Sequence, residues 1–322
     1  MNINYTYFYK HCYYKPNELI NAGHYDVLIS AYCHDNRVEQ PWDKIDASRK
    51  IWVVDPNNQN LLFMPHGETY VLGDLTELSN VLDFIDDMSI GKGERICIDS
   101  TGFIVPVLFV LLRGMQIHGV TKFDVLYSEP QRYIMAENTS FSDYYFDTKQ
   151  ILGYGGMHSS EMNNDILIIA SGYDDQRISD IANFKKSVKK KIQILGFPPL
   201  QADMFQENIV KAYNAESALG SQCFVNMENN IFSPAYDPFV TAQNIKEYLD
   251  EKQRKAPFSN IYLSPLSSKP HALGIALFYI WEQGHHQSMS VIYPQCKNYI
   301  TENSEGIGCI WRYEFEIPTY QS

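Results

Sequence analysis

Two stretches of the sequence decide the fold. The first reads Asp26-Val27-Leu28-Ile29-Ser30-Ala31 and continues through a short loop to Asp35-Asn36-Arg37-Val38; the second reads Asp165-Ile166-Leu167-Ile168-Ile169-Ala170 and continues to Asp175-Gln176-Arg177-Ile178. They align with one inserted residue. Each apolar run predicts a short strand buried on both faces of a sheet, and each Asp-x-Arg segment predicts the start of a helix.

A second pair of segments repeats later in the same order, each a strand followed by a loop and an apolar helix that begins near a proline. The strands and prolines are Ile96-Cys97-Ile98-Asp99 with Pro106, and Ile261-Tyr262-Leu263-Ser264 with Pro270. The next strands are Val125-Leu126-Tyr127 and Val291-Ile292-Tyr293. Several matches in one order predict a tandem duplication.

Strands that alternate with helices predict right-handed crossovers and a mostly parallel sheet. We therefore expect an α/β fold of two Rossmann-like halves, residues 1–152 and 153–322, the second with an inserted helical segment at about 200–231. The aromatic-rich tails that follow Tyr133 and Tyr299 predict antiparallel edge strands or hairpins.

The charge of the chain disfavours binding to a nucleic-acid backbone. Lys and Arg number 26 against 38 Asp and Glu, a formal net charge of -12, whereas phosphate backbones are neutralised mainly by Lys and Arg. The one basic run extends from Lys185 to Lys191. We interpret it as the solvated face of a surface helix that leads into a strand, with a phosphate-binding patch as the alternative.

The composition also predicts the compartment. None of the six cysteines forms a C-x-x-C pair, which disfavours a zinc site. The longest apolar run, residues 103–112, is shorter than the about 20 residues of a membrane span, and the N-terminus does not resemble a signal peptide. No phosphate-binding loop or dinucleotide-binding glycine motif occurs. We expect a cytoplasmic protein with no membrane contact and no cofactor.

The candidate ligand-binding residues follow from the fold, because ligands of open parallel sheets bind in the loops beyond the carboxyl ends of the strands. The first loop pair contains Asp35 with Arg37, and Asp175 with Arg177. In a functional interpretation each Arg reaches a phosphate or carboxylate and each Asp orients the guanidinium. In a structural one, the Asp caps the helix and the Arg pairs locally. The sequence leaves both open.

The second loop pair combines small hydroxyl residues with the start of a helix, which favours an anion site. It contains Ser100 and Thr101 in the first copy, and Ser267, Ser268 and Lys269 in the second. Plain helix capping is the alternative, which we favour for the first copy only.

Glu129 adds a carboxylate at a strand end in the first copy, where the second copy has Pro294 or Gln295. This divergence predicts one specialised site rather than two equal ones.

The stretch from Ile261 to Leu273, with its Ser-Ser-Lys-Pro loop, resembles the first strand–loop–helix unit of CARF-type nucleotide-sensor domains. The duplicated plan is similar to the fusion of two such domains in SAVED modules. The resemblance implies a cyclic-oligonucleotide or other nucleotide-derived ligand, and a bacterial antiviral context. It also implies that Ser267, Ser268 and Lys269 line the ligand site.

Three classes of function fit the sequence. We favour a module that binds or senses a nucleotide or small anion within a larger bacterial assembly. The second is a nucleotide- or nucleoside-processing enzyme of the glycosidase-type hydrolase class, with Glu129 and Asp175 in acid–base roles. The third is a scaffold for a protein partner or a homo-oligomer, since the segment from Tyr5 to Tyr14 is rich in the aromatic residues that interfaces favour.

Overall fold

The chain folds into two mostly parallel β-sheets whose strands alternate with helices. The structure is a computed structural model and describes residues 3–55, 65–73, 83, 85–133, 142–220, 227–299 and 304–320. The strands are β1 (Lys10–Tyr13), β2 (Tyr25–Ala31), β3 (Ala47–Val54), β4 (Glu68–Val71), β5 (Ile96–Asp99), β6 (Lys122–Tyr133), β7 (Ser142–Gln150), β8 (Ile166–Ala170), β9 (Lys190–Gly196), β10 (Asn230–Ser233), β11 (Ile261–Pro265), β12 (Met289–Tyr299) and β13 (Ser304–Glu316). The α-helices are α1 (Asn36–Lys44), α2 (Val105–Ile117), α3 (Asp175–Phe184), α4 (Met204–Asn214), α5 (Glu216–Leu219), α6 (Pro238–Gln253) and α7 (Lys269–Glu282). Short 3-10 helices cover Tyr5–Tyr7, Pro16–Ala22 and Met227–Asn229.

The first sheet has the order β1-β13-β6-β5-β2-β3-β4. The five strands from β6 to β4 are parallel. Strand β13 runs antiparallel to β6, and β1 runs antiparallel to β13. The chain proceeds outward from β2 to β4 and then returns to β5 on the other side of β2. The strand order therefore reverses between β2 and β5.

The second sheet repeats this plan with the order β10-β9-β8-β11-β12-β7. Strands β10, β9, β8, β11 and β12 are parallel. The chain moves outward from β8 to β10 and returns to β11, so the reversal lies between β8 and β11. The predicted duplication of a Rossmann-like α/β unit is confirmed.

Each sheet contains one strand whose sequence follows the other copy. Strand β7 follows the first copy in sequence but lies in the second sheet, and β13 follows the second copy but lies in the first sheet. Two compact units result: Phe8–Ala136 with Asn298–Ser322, and Met1–Tyr7 with Glu137–Lys297. We call them the first-copy unit and the second-copy unit. They differ from the sequence halves 1–152 and 153–322 by these exchanged segments.

The two apolar helices lie in the cores of their units, as their composition predicts. Nearly all residues of α2 and of α7 are buried, and a proline occupies the second position of each, where its missing N–H does no harm. The helical interpretation of the basic run is wrong. Helix α3 ends at Phe184, so Lys185–Lys191 forms a turn and the first residues of β9.

Candidate functional site

The two predicted loops of each copy meet at the point where the strand order reverses, and one glycine brings them together. A Cβ atom on Gly102 would lie 2.5 Å from the carbonyl oxygen of Ala31. In the second copy, a Cβ atom on Gly172 would lie 2.1 Å from that of Leu266. The candidate loops therefore lie side by side at the carboxyl edge of each sheet, where Rossmann-like proteins bind ligands.

In the first copy, Asp35 and Arg37 pair with each other. The Asp35 carboxylate caps α1 by accepting the Arg37 backbone N–H at 2.8 Å. It also accepts the Arg37 Nε and Nη2 groups at 3.0 and 2.6 Å. Both side chains are only 15% exposed. The helix cap belongs to the structural interpretation, whereas the ion pair between Asp35 and Arg37 fits both interpretations.

The hydroxyl groups of the next loop are likewise used within the first-copy unit. Ser100 Oγ donates to the carbonyl oxygen of Leu126 at 2.6 Å. Thr101 Oγ1 accepts the backbone N–H of Ser128 at 2.9 Å. Both contacts tie the loop to β6, so the hydroxyl groups hold the loop in place.

Asp99 is a carboxyl group at this edge whose pKa is strongly shifted. It is 1% exposed at the end of β5. The Thr101 N–H donates to Asp99 Oδ1 at 3.0 Å, and Ser30 Oγ lies 3.4 Å from Oδ2. Burial raises the pKa of Asp99 to about 6, against the opposing effects of these hydrogen bonds and of Arg37.

Glu129 does not lie at a strand end, which corrects the sequence interpretation. Strand β6 continues to Tyr133 because β13 pairs with it, placing Cys309 opposite Glu129. Trp311 Nε1 donates to Glu129 Oε2 at 3.1 Å, and the Cys309 thiol lies 3.5 Å from the same oxygen. Burial raises the pKa of Glu129. Glu129 and Asp175, the two residues considered for acid–base work, belong to different units.

In the second copy, the helix cap is Asp174 rather than Asp175. The Asp174 side chain accepts the Arg177 backbone N–H at 3.2 Å, and Asp174 keeps the same spacing from its strand as Asp35 does. Asp175 is instead the first residue of α3 and lies 3.7 Å from Lys211 Nζ. The capping role considered for Asp175 is therefore wrong.

Arg177 points inward at the carboxyl edge of the second sheet. It is 6% exposed. Its guanidinium carbon lies 4.7 Å from the centre of the Tyr293 ring, and Nη2 donates to the carbonyl oxygen of Pro294 at 3.5 Å. The guanidinium is thus held over the face of an aromatic ring, a cation–π contact.

The start of α7 is closed by a network around a buried histidine. Ser268 Oγ accepts the His271 N–H at 3.3 Å and donates to the carbonyl oxygen of Ala235 at 2.6 Å. The two ring nitrogens of His271 lie 3.0 Å from Ser267 Oγ and 3.2 Å from the carbonyl oxygen of Ser233. Burial lowers the pKa of His271 to about 4, so the ring is neutral near pH 7.

This network limits what α7 can offer an anion. Pro270, in the second position, has no N–H, and Ser268 occupies the N–H of His271 in the third. Lys269 is the first residue of the helix and is partly exposed. Ser267, Ser268 and Lys269 therefore lie beyond the carboxyl end of β11, at the point where the strand order reverses, which we call the switch point, and the two hydroxyl groups are engaged by the protein.

The sequence interpretation missed a group of buried polar residues in the second-copy unit, which we call the buried polar cluster: Ser171, Gln193, Asn208 and Ser264. Ser264 on β11 and Gln193 on β9 are both register partners of Ile169 on β8, so the three side chains share one face of the sheet. The Asn208 amide on α4 donates to the carbonyl oxygens of Ser171 and Gly172 at 2.8 and 2.9 Å.

Three atoms of the buried polar cluster have no hydrogen-bond partner among the described residues: Ser264 Oγ, Gln193 Nε2 and Asn208 Oδ1. Their side chains are at most 2% exposed. The other amide atom of Gln193 is satisfied, since Ser171 Oγ donates to it at 2.8 Å. The detectable sequence signal was a polar residue, Gln193 or Ser264, beside apolar strand residues.

Comparisons with known proteins leave the family of the chain open. No protein-family model matches the sequence, and no curated protein is similar enough to count as a relative. Among the described residues, no group of three or more His, Cys, Asp or Glu side chains is placed to hold a metal ion. The described helices include none with the length and apolar character needed to cross a membrane.

Proposed function

We propose that the second-copy unit binds a small anionic, nucleotide-like ligand at the buried polar cluster, and that the protein works as a binding or sensing module. The observation that supports this most is the set of three buried polar atoms that have no hydrogen-bond partner among the described residues. Leaving such an atom unsatisfied costs about 1–3 kcal/mol. Ser264 and Gln193 share one face of the sheet on either side of Ile169, close to the point where the strand order reverses, and such polar atoms favour a place that a polar ligand completes.

The chemistry of these atoms favours a particular class of ligand. The Gln193 amide offers a donor, the Asn208 amide an acceptor, and the Ser264 hydroxyl either role. A nucleobase edge presents donors and acceptors together, and amide side chains can pair with both. Arg177 adds a guanidinium suited to a phosphate or carboxylate. The resemblance to CARF and SAVED modules implies the same nucleotide-derived class, in a bacterial defence assembly.

The test is ligand-dependent stabilisation, measured as the melting temperature with mononucleotides, dinucleotides and cyclic oligonucleotides. A ligand present at 100 times its dissociation constant stabilises the unit by about 2.7 kcal/mol, or about 5–10 °C for a unit of this size. Ser264→Ala should abolish the shift. Ser128→Ala is the matched control, because Ser128 Oγ is also fully buried and has no hydrogen-bond partner in the part of the chain that the structure describes, but lies in the first-copy unit.

Two results would contradict the proposal. One is that no compound of the three classes raises the melting temperature of the wild-type protein. The other is that Ser264→Ala and Ser128→Ala alter the ligand shift equally, because the hydroxyl of Ser264 would then be only a packing defect.

A further inference from the structure

A cavity of about 230 Å³ opens at the amino-terminal edge of the second sheet, away from the switch point. It is lined mainly by polar and charged residues: Asn164, Lys190, Glu228, Asn229, Tyr248, Lys252, Lys255 and Ala256. Lys190 is the first residue of β9, and Lys252 lies in the last turn of α6. Three lysines from two separate elements thus converge on one cavity of an acidic protein.

The charges of these lysines are unequally compensated. Lys252 Nζ lies 3.3 Å from Glu228 and 3.3 Å from Glu251. Lys190 and Lys255 make no ion pair with a carboxylate in the part of the chain that the structure describes. Lys190 Nζ lies instead 4.8 Å from the centre of the Phe258 ring. Burial lowers the pKa of Lys190, and the charges of Lys252 and Lys255 lower it further.

Helix electrostatics explain two of the three lysines but not the third. Cations at a helix C-terminus are favourable because they face the negative end of the helix dipole, which accounts for Lys252 and Lys255. Lys190 belongs to a strand and gains nothing from this effect. In the first copy the equivalent residue is Arg49, because Arg49 pairs with Val27 as Lys190 pairs with Ile166. Arg49 Nε donates to the Glu68 carboxylate, Oε2, at 3.0 Å, so its charge is neutralised. The second copy has a cation at this position without the carboxylate.

We infer that this cavity is an oxyanion site, in which Lys190 and Lys255 bind a compact multivalent anion of the diphosphate type, and Lys252 holds Glu228 aside. A lysine ammonium is a point charge that suits phosphate oxygens. The site is separate from the buried polar cluster, since Lys190 and Gln193 point to opposite faces of β9. It therefore does not depend on the function proposed above.

The test is calorimetric titration with inorganic pyrophosphate at constant ionic strength set with NaCl. Lys190→Gln should weaken binding at least tenfold, because it removes one of the two cavity lysines that make no ion pair among the described residues. Lys189→Gln is the matched control: it removes the same charge from the neighbouring, exposed residue, and its dissociation constant should stay within twofold of wild type. Lys255→Gln gives a second, exposed variant should Lys190→Gln fail to fold.

A nucleoside diphosphate titrated in parallel identifies the source of the phosphate. Equal affinity for it and for pyrophosphate means that the site reads the diphosphate group alone, as inferred. Ser264→Ala should leave pyrophosphate binding unchanged, so that a failure here can be told from a failure of the proposed function. The inference is overturned if the wild type does not bind pyrophosphate, or if Lys189→Gln weakens binding as much as Lys190→Gln.

Discussion

Asp99 should make the first-copy unit less stable as the pH rises from 4 to 7. Its buried carboxyl group has a pKa of about 6 in the folded protein, raised from 3.8 chiefly by burial. A carboxyl group with a raised folded pKa holds its proton more tightly when folded than when unfolded. Its contribution to stability is fully present below the unfolded pKa, and is lost as the pH rises through about 6.

The size of the effect follows from the same two pKa values. A difference of about 2 pKa units corresponds to about 3 kcal/mol, since each unit is 1.36 kcal/mol. The Thr101 N–H and the Ser30 hydroxyl favour the charged form and lower the pKa, but the effect of burial is larger. Asp99→Asn removes the titration and keeps an oxygen that can accept from Thr101. The amide should therefore match the protonated acid in shape and charge.

The assay is urea unfolding of the wild type and Asp99→Asn at pH 4 and pH 7.5. Near-ultraviolet circular dichroism is a suitable signal, because Trp42 and Trp52 of the first-copy unit stack with ring centres 3.5 Å apart. The stability of wild type relative to the variant should fall by most of the 3 kcal/mol between the two pH values. Asp175→Asn, in the other unit, should follow the wild type. Parallel pH profiles for wild type and Asp99→Asn would refute the reasoning.

Two further pairs of substitutions test the loop geometry of the second copy by their effect on the free energy of unfolding. Gly172→Ala should destabilise the second-copy unit by about 1–3 kcal/mol or more, since its Cβ would lie 2.1 Å from a backbone oxygen. Gly284→Ala, whose Cβ meets nothing within 4 Å, should change stability by less than about 0.5 kcal/mol. Asp174→Ala should cost about 1 kcal/mol through loss of the α3 cap. Asp175→Ala should cost less, and the reverse order would restore Asp175 as the cap.

The sequence was sufficient to predict the order of elements and the position of the loops, because both depend on local patterns. Continuous apolar runs mark buried parallel strands whatever their neighbours are. The strand exchange was not predictable in this way. Strands β6 and β7 are adjacent in sequence, which favours a hairpin, yet β7 lies in the second sheet. Which distant strand a given strand pairs with depends on which sheet edge is open in the folded chain. Local sequence patterns contain no information about that.

The roles of two site residues were likewise not predictable from local sequence patterns. Asp174 and Asp175 are identical in type, so an alignment can match either one to Asp35. The backbone decides between them, because Asp174 is in the extended conformation of a cap, with φ -115° and ψ 95°, while Asp175 begins the helix. Local sequence patterns end the strand before Glu129, because they do not include the pairing with β13. Pairing with β13 extends β6 past it and buries its carboxyl group.

The duplication provides an internal comparison between equivalent positions of the two copies. The register partner of Ser30 in the first copy is Asp99, and that of the equivalent Ile169 in the second is Ser264. Asp99 is hydrogen-bonded within its own unit, whereas Ser264 Oγ lacks a partner among the described residues. Natural sequences violate local rules mainly at functional sites. Ser264 therefore departs from its first-copy counterpart Asp99 at the position where we propose that the second copy binds a ligand.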